Sequence, residues 1–197
     1  MIQTVELADR RNLKATPYPK GVPIRRGAGM YYAAPGLTST ATPSQGQLAL
    51  APLDINRVCV LTALVADIAT VGTAGAVLRL AIYADDGTGT YPGALVADAG
   101  TIDATVAGAA TLTLATPIPL PPGRYWIGGA SQGAPTTAPV VRCVSTSGAI
   151  IMPTTSASVT TLNVGAAQNS VTGAAPANFT TALGFTSAVP RVLAQLT

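Results

Sequence analysis

The sequence predicts an all-β protein, an antiparallel β-sandwich of jelly-roll-like type that is preceded by an extended N-terminal arm. The clearest evidence is residues 78–83, where large apolar side chains alternate with others at the period of a half-buried strand. Turn dipeptides, among them Asp86-Gly87 and Pro92-Gly93, recur at short intervals along the chain. No window has the apolar period of a helix, so short antiparallel strands are favoured over alternating strands and helices.

Residues 1–29 form the predicted arm, and residues 30–197 form the predicted sandwich domain. Prolines and glycines are frequent in the arm and its apolar residues follow no period, so it favours extended backbone laid along a partner. Six basic residues against Glu6 and Asp9 give the arm a net charge of +4 (6 − 2). They are Arg10, Arg11, Lys14, Lys20, Arg25 and Arg26. We expect them to dock on an acidic or carbonyl-lined groove, because they are too sparse for a nucleic-acid-binding patch.

From residue 30 onward the chain is predicted to form short strands separated by turns. Their predicted bounds are Met30–Ala33, Gln47–Ala51, Arg57–Ala66, Val77–Ala84, Leu95–Thr105, Ala110–Ala115, Gly123–Ala130, Pro139–Ser145, Ala149–Met152 and Ala188–Gln195. The predicted core residues lie on the apolar phase of these strands: Leu78, Leu80, Ile82, Leu112, Leu114, Ile127 and Val141. Residues 145–187 are rich in small and polar residues, and we expect them to form long loops that belong to the domain.

The predicted strand 57–66 is apolar on both faces, which is unusual for an antiparallel strand with one face in water. Either loops of the same chain cover its outer face, or that face packs against another subunit. Charged residues make up only 10% of the chain, and this low content favours subunit packing. We therefore expect a homo-oligomer, with a homotrimer as the favoured form.

The residue types needed for common catalytic chemistry are scarce. The chain has no histidine, and its two cysteines are too few for a zinc cluster. Cys59 and Cys143 lie in apolar runs, which indicates buried thiols, although a disulfide between them stays open as an alternative. We predict no catalytic residues, no cofactor and no enzymatic activity.

Asp85 and Asp86 are the only metal candidates, because paired carboxylates beside a glycine could hold Ca²⁺. The alternative is that Asp-Asp-Gly forms a turn, since aspartate readily caps its own backbone. A hydrolase that pairs Asp86 with Asp98 or Asp103 is a further alternative that no other feature supports.

Tyr125 and Trp126 are adjacent on a predicted strand, so one ring is expected to face the core and the other to face outward. Packing of both rings is one interpretation. Sugar stacking on an exposed ring is the other, as in a carbohydrate-binding module.

The N-terminus lacks the apolar run of a signal peptide, and no segment has the length of apolar residues that spans a bilayer. We expect synthesis in the cytoplasm and no membrane insertion.

Four segments carry a family resemblance: Leu80–Gly87, Tyr91–Thr101, Leu120–Ile127 and Val171–Phe179. In this order they resemble the β-sandwich domain found in structural proteins of tailed bacteriophages, especially minor tail proteins and fibre tips of phages that infect actinobacteria. The resemblance covers roughly residues 30–196, and its motifs are turn and strand signatures.

The resemblance implies a non-enzymatic virion component that is displayed on the particle surface and made in the host cytoplasm. A minor tail protein that contacts the host envelope is the first expectation, with a cell-envelope glycan as a candidate partner. A head decoration protein is the alternative, because here the domain follows only a short basic arm. In both cases residues 1–29 would contact other virion proteins, such as a tail protein or the major capsid protein.

Overall fold

A computed structural model describes residues 29–145, 163–180, 185–186 and 188–197. In these residues the protein is all-β, and two antiparallel sheets pack against each other as a sandwich, which confirms the predicted fold class. None of these residues belongs to a helix with the length and apolarity needed to cross a membrane.

Thirteen strands are present in the described residues. In chain order they are β1 (Met30–Ala33), β2 (Leu37–Ala41), β3 (Leu48–Ile55), β4 (Cys59–Thr70), β5 (Val77–Asp85), β6 (Pro92–Asp103), β7 (Gly108–Leu120), β8 (Gly123–Gln132), β9 (Val140–Ser145), β10 (Gly165–Gln168), β11 (Phe185–Thr186), β12 (Val189–Pro190) and β13 (Leu193–Leu196).

The first sheet, sheet A, is built around β4. Strand β7 pairs along one side of β4, while β13 and β9 pair along the other side. Strand β1 lies outside β13, and β9 also pairs with β2 and β12. The second sheet, sheet B, has the order β11-β10-β3-β8-β5-β6. Because every pair is antiparallel, the chain connections fall at two opposite ends of the sandwich.

The core between the sheets follows the predicted alternation. Leu78, Leu80, Ile82 and Ile127 are buried on the inner face of sheet B, and Val141 is buried on sheet A. Burial of one such side chain contributes about 1.5–3 kcal/mol.

The prediction was wrong for Leu112 and Leu114, which are only half-buried. They lie on β7, which among the described residues pairs with β4 alone and so forms an edge of sheet A. A side chain on an edge strand has a neighbouring strand on one side only, so its inner face stays partly open to water.

Both faces of β4 are buried in its middle, as its apolar run predicted. Leu61 and Leu64 contact the core, while Ala63 and Val65 are 1% and 6% exposed although they lie outside that cluster. The cross-strand neighbours of Ala63 and Val65 belong to the same chain, and their side chains surround the two small residues on this face: Gln195 and Leu193 of β13, and Thr113 and Thr111 of β7. Burial of this strand therefore needs no second subunit, and the homotrimer stays a prediction.

A segment that follows β10, residues 169–180, covers the outer face of sheet B, and we call it the covering segment. Its Val171, Ala175 and Phe179 are buried in a second apolar cluster that includes Tyr83 and Trp126. The rings of Tyr83 and Phe179 meet edge to face, with centroids 6.2 Å apart. The expectation that residues 145–187 belong to the domain is thus met for this described part.

Some strands differ from the prediction. Strands β2, β10 and β11 were not predicted. Gly165–Gln168 of β10 lacks the β-branched and aromatic residues that mark strands. Strand β2 consists largely of serine and threonine, and β11 has only two residues. The predicted final strand is divided into β12 and β13, since the chain passes from β9 to β4 at this point. The predicted strand Ala149–Met152 and arm residues 1–28 lie outside the described residues.

Candidate functional site

One end of the sandwich carries a pocket of about 670 Å³ between three strand connections. These are the connections β3–β4, β5–β6 and β7–β8. We call it the loop-end pocket, and its lining residues are Asp54, Ile55, Asn56, Asp85, Gly87, Thr88, Gly89, Pro122, Gly123 and Arg124. Clustered loops on a rigid sandwich are a common place for binding sites.

An ion pair forms one wall of the loop-end pocket. Arg124 Nε donates to Asp54 Oδ1 at 2.9 Å, since the β3–β8 register places these residues opposite each other. Arg124 Nη1 also donates to the carbonyl oxygen of Gly89 at 2.8 Å. Arg124 therefore joins the ends of β3 and β8 to the β5–β6 turn. Sequence analysis did not single out this pair, which only the cross-strand register brings together.

The β5–β6 turn uses both candidate metal ligands for its own hydrogen bonds. Asp85 Oδ2 accepts from the backbone N–H groups of Gly87 and Gly89, at 2.9 and 2.8 Å. Asp86 Oδ1 accepts from the N–H and the hydroxyl of Thr88. Both glycines have positive φ, 92° and 75°, which is easily adopted only by glycine. The local geometry is therefore that of the turn alternative for Asp85 and Asp86.

The second oxygen of Asp85 accepts a hydrogen bond from Trp126 Nε1 at 3.0 Å. Within the described residues no group of three or more His, Cys, Asp or Glu side chains has the arrangement of a metal site. Asp85 thus links the turn to the cluster beneath the covering segment.

The sugar-stacking interpretation of Tyr125 and Trp126 is wrong for this conformation. The two rings do face opposite sides of sheet B, as expected from alternation. Trp126 is nevertheless fully buried, because the covering segment lies over the outer face of the sheet. Tyr125 is buried in the core, and its hydroxyl donates to the carbonyl oxygen of Pro121 at 2.9 Å. Neither ring offers an open face for a sugar.

A second polar group fixes the covering segment to sheet B. Arg79 Nη1 donates to both oxygens of Asp98, at 2.7 and 2.6 Å, and Arg79 Nε donates to Gln132 Oε1 at 3.2 Å. Asp98 Oδ2 also accepts from Ala175 N–H at 2.9 Å. The amide nitrogen of the buried Gln132 donates to carbonyl oxygens of the covering segment, at 2.7 Å to Val171.

The pKa of Asp98 is lowered from its ordinary value of 3.8. Burial acts to raise it, but hydrogen bonds from Ala175, Arg79 and Gly100 stabilise the carboxylate and outweigh burial. Asp98 is thus a structural anion that ties Ala175 of the covering segment to β5 and β6. It is not brought together with Asp86 as the hydrolase alternative requires, since the two carboxylates serve separate hydrogen-bond groups.

The remaining aspartates of the described residues also have local partners. Asp103 accepts from the N–H and hydroxyl of Thr105, and these bonds lower its pKa. Asp67 accepts from Arg142 Nε at 3.4 Å beside a second pocket, of about 270 Å³, on the outer face of sheet A. All six aspartates of the described residues therefore accept hydrogen bonds within turns, ion pairs or the covering segment.

Cys59 and Cys143 are buried and are not joined by a disulfide. Burial raises the pKa of the Cys143 thiol to about 11, although a hydrogen bond with the Ala41 backbone acts in the opposite direction. A thiol with so high a pKa is protonated at neutral pH and is a poor nucleophile.

The arm junction and the loop-end pocket lie at the same end of the sandwich. Gly29, where the described chain begins, donates from its N–H to Leu196, and Thr197 pairs with Val60 near the start of β4. The arm therefore joins the sandwich at the end that holds the loop-end pocket. The opposite end is formed by the connections β4–β5, β6–β7 and β8–β9, which hydrogen bonds of Gly72, Thr73 and Ala104 hold together. The arm residues Arg10, Arg11, Lys14, Lys20, Arg25 and Arg26 themselves lie outside the described residues.

Comparison with known proteins gives no relative: the chain matches no protein-family model, no curated protein and no solved structure.

Proposed function

We propose that this protein is a non-enzymatic structural component of a tailed-bacteriophage virion, a minor tail protein that is displayed on the particle surface and contacts the host envelope. The observation that carries the proposal is the way the four family-like segments pack. Tyr83 of the first, Leu95 of the second, Trp126 of the third and Phe179 of the fourth meet in one cluster on the outer face of sheet B. The motifs behind the resemblance thus form one structural unit.

A structural role is further supported by the use of the carboxylates. Each aspartate in the described residues is committed to a hydrogen bond that shapes a turn, an ion pair or the covering segment. A general acid or base needs a carboxyl group within reach of a substrate proton, and these groups are engaged with the protein itself.

Within this proposal, the position at which the arm joins the sandwich gives each end a different role. The arm begins beside the loop-end pocket, so this end faces the particle when the basic arm is docked. The opposite end then points outward. A cell-envelope glycan is the host partner to test at this end.

Immunogold electron microscopy tests the location. Antibodies raised against the purified protein are applied to phage particles from a lysate of the strain that carries the gene, with an antibody against the major capsid protein as the positive control. Gold at the tail is the expected result, and gold spread over the head indicates the decoration alternative. Particles that label for the capsid protein but carry no gold for this protein contradict the proposal.

The arm is tested by deleting residues 1–26. We expect the deleted protein to keep the β-sandwich circular dichroism spectrum, because the described core begins after the arm, and to be absent from particles. Reversing Arg10, Arg11, Arg25 and Arg26 to Glu is expected to have nearly the same effect through loss of charge-assisted hydrogen bonds. Normal occupancy of the truncated protein on virions would place the anchor in the sandwich instead.

A further inference from the structure

Strand β7 forms a long and open edge of sheet A. It has 13 residues, against four in β1 and five in β2, and within the described residues it pairs with β4 alone. The neighbouring edge of sheet B, on β6, is covered over its first residues. Leu95 N–H donates to the carbonyl oxygen of Ala177, and Phe179 N–H donates to that of Gly93, so the covering segment occupies the edge around residues 93–95. Among the described residues no segment pairs with the free edge of β7 in this way.

The β7 edge also lacks the usual protection by charge. No Asp, Glu, Lys or Arg occurs between Asp103 and Arg124. Exposed edge strands of single-chain proteins are commonly blocked by charged side chains, prolines or short length. Pro117 lies within the irregular part of the pairing with β4 and Pro119 lies after it, whereas Gly108–Thr113 pairs in continuous register and contains no proline.

Within the described residues, the core beside β7 is incomplete in a single chain. Leu112 and Leu114 contact the core cluster yet stay partly exposed, and they alternate with the exposed Thr111 and Thr113. A further strand on this edge would close the core over both leucines. The open edge and the unfinished burial therefore lie at the same place.

The sequence of β7 is suited to pairing with itself. In an antiparallel pair centred on Leu112, this residue lies opposite its own copy, and Thr111 lies opposite Thr113 of the other copy. Ala109 then lies opposite Ala115. The inner face of such a pair is apolar, and the outer face carries threonine–threonine pairs, which are favourable across strands.

We propose that β7 is a self-association surface, through which two copies of this chain join sheet A edge to edge in an antiparallel two-fold pair. A two-fold pair buries the same strand of both copies and closes on itself, so it is complete as a dimer. It differs from the three-fold assembly expected from composition. It also does not depend on the virion assignment, and either proposal can fail without the other.

The test is sedimentation velocity of the full chain at about 50 µM, a concentration at which a pair with a Kd of about 1 µM is mostly dimeric. The wild type is expected to sediment as a dimer. The double variant Thr111→Lys and Thr113→Lys places like charges opposite each other, and we expect its dimer Kd to rise at least about tenfold. Thr40→Lys is the matched control, since Thr40 is an exposed threonine on another edge strand, β2, and its dimer is expected to be unchanged.

Mixing two oppositely charged variants tests the proposed register of the β7–β7 pair. The variant Thr111→Glu and Thr113→Glu is expected to be monomeric alone and to form a one-to-one dimer with the lysine variant, because each Lys then faces a Glu. A wild type that is monomeric, or a lysine variant that dimerises like the wild type, overturns the proposal. So does a mixture of the lysine and glutamate variants that stays monomeric.

Two cysteine variants test the same pair in case the charged variants do not fold. Thr111→Cys and Thr113→Cys change exposed side chains by little, and a mixture of the two is expected to form a disulfide-linked dimer under mild oxidation. Native Cys59 and Cys143 are buried and do not compete. The absence of the linked dimer in the mixture also overturns the proposal.

Discussion

The attachment of the covering segment can be tested by replacing Asp98 with asparagine. The carboxylate accepts four hydrogen bonds from three donor atoms: two from Arg79 Nη1, one from Ala175 N–H and one from Gly100 N–H. An asparagine of the same shape keeps one acceptor oxygen and puts an NH₂ group in place of the other. In either amide orientation, this NH₂ faces the guanidinium and one of the two backbone N–H groups, donor against donor.

The expected fall in the free energy of unfolding follows from these contacts. Loss of one charge-assisted hydrogen bond costs about 1.5–3 kcal/mol, and a backbone N–H left without an acceptor costs about 1–3 kcal/mol. The Arg79 and Asp98 side chains are 17% and 19% exposed, so water replaces part of what is lost. We therefore expect the free energy of unfolding to fall by about 2–4 kcal/mol. With a urea m value of about 2 kcal/mol/M, the midpoint moves down by about 1–2 M.

Urea unfolding followed by fluorescence measures this change, because Trp126 is the single tryptophan and lies buried under the covering segment. Far-UV circular dichroism of the same samples reports the sheets. Asp103→Asn is the matched control on the same strand, and its midpoint is expected to stay close to wild type, since Asp103 is exposed and asparagine can also accept from Thr105. An Asp98→Asn midpoint equal to that of the wild type would refute the argument.

The same carboxylate predicts a pH dependence. The folded-state pKa of Asp98 is lowered, so its contribution to stability is present above the ordinary pKa of 3.8 and is lost as the pH falls through the folded value. The difference in unfolding free energy between wild type and Asp98→Asn is therefore expected to shrink below pH 3.8. Urea midpoints measured at pH 7 and pH 3 check this, and an undiminished difference at the lower pH contradicts it.

Four further outcomes follow from the core. Leu80→Ala is expected to lower the free energy of unfolding by about 2–5 kcal/mol in urea titrations, because Leu80 is fully buried between the sheets. Cys59 and Cys143 should not react with a thiol reagent at pH 8 until urea unfolds the protein. The raised pKa of Cys143 adds stability that is complete below pH 9 and is lost as the pH rises towards about 11. Gly128→Ala should yield insoluble protein on expression, since its Cβ would overlap the backbone carbonyl oxygen of Ala49.

The strands with strong side-chain patterns could be predicted from the sequence, and the layer over them could not. In β5 the alternation of Leu78, Leu80 and Ile82 marks one face as buried, and all three are in the core. The covering segment has small and polar residues between Val171 and Phe179, so its apolar residues have no regular spacing that would predict packing on a sheet. Its packing depends on contacts between residues far apart in the chain.

The burial of Trp126 and the partial exposure of Leu112 and Leu114 could not be predicted, for related reasons. Alternation correctly placed Tyr125 and Trp126 on opposite faces, but it could not tell that the outer face is covered. It placed Leu112 and Leu114 on an inner face, but it could not tell that β7 is an edge. The alternation of residues along a strand shows which face of the sheet a side chain lies on. Its burial depends on the strands and segments that lie next to that face.

The way the arm enters the sandwich has a mechanical consequence. Met30 lies opposite Leu196 and Ala33 lies opposite Leu193, so the four residue pairs of β1 and β13 run along the strand axis away from the arm. If the protein is held by its arm and pulled at the outward end, the load acts along this axis and strains all four pairs in shear at once. A pull between Gly29 and Thr197, which lie at the same corner, would instead peel the pairs apart one by one. Under a load along the strand axis, β1 is therefore expected to resist separation from β13 more strongly than under a peeling load.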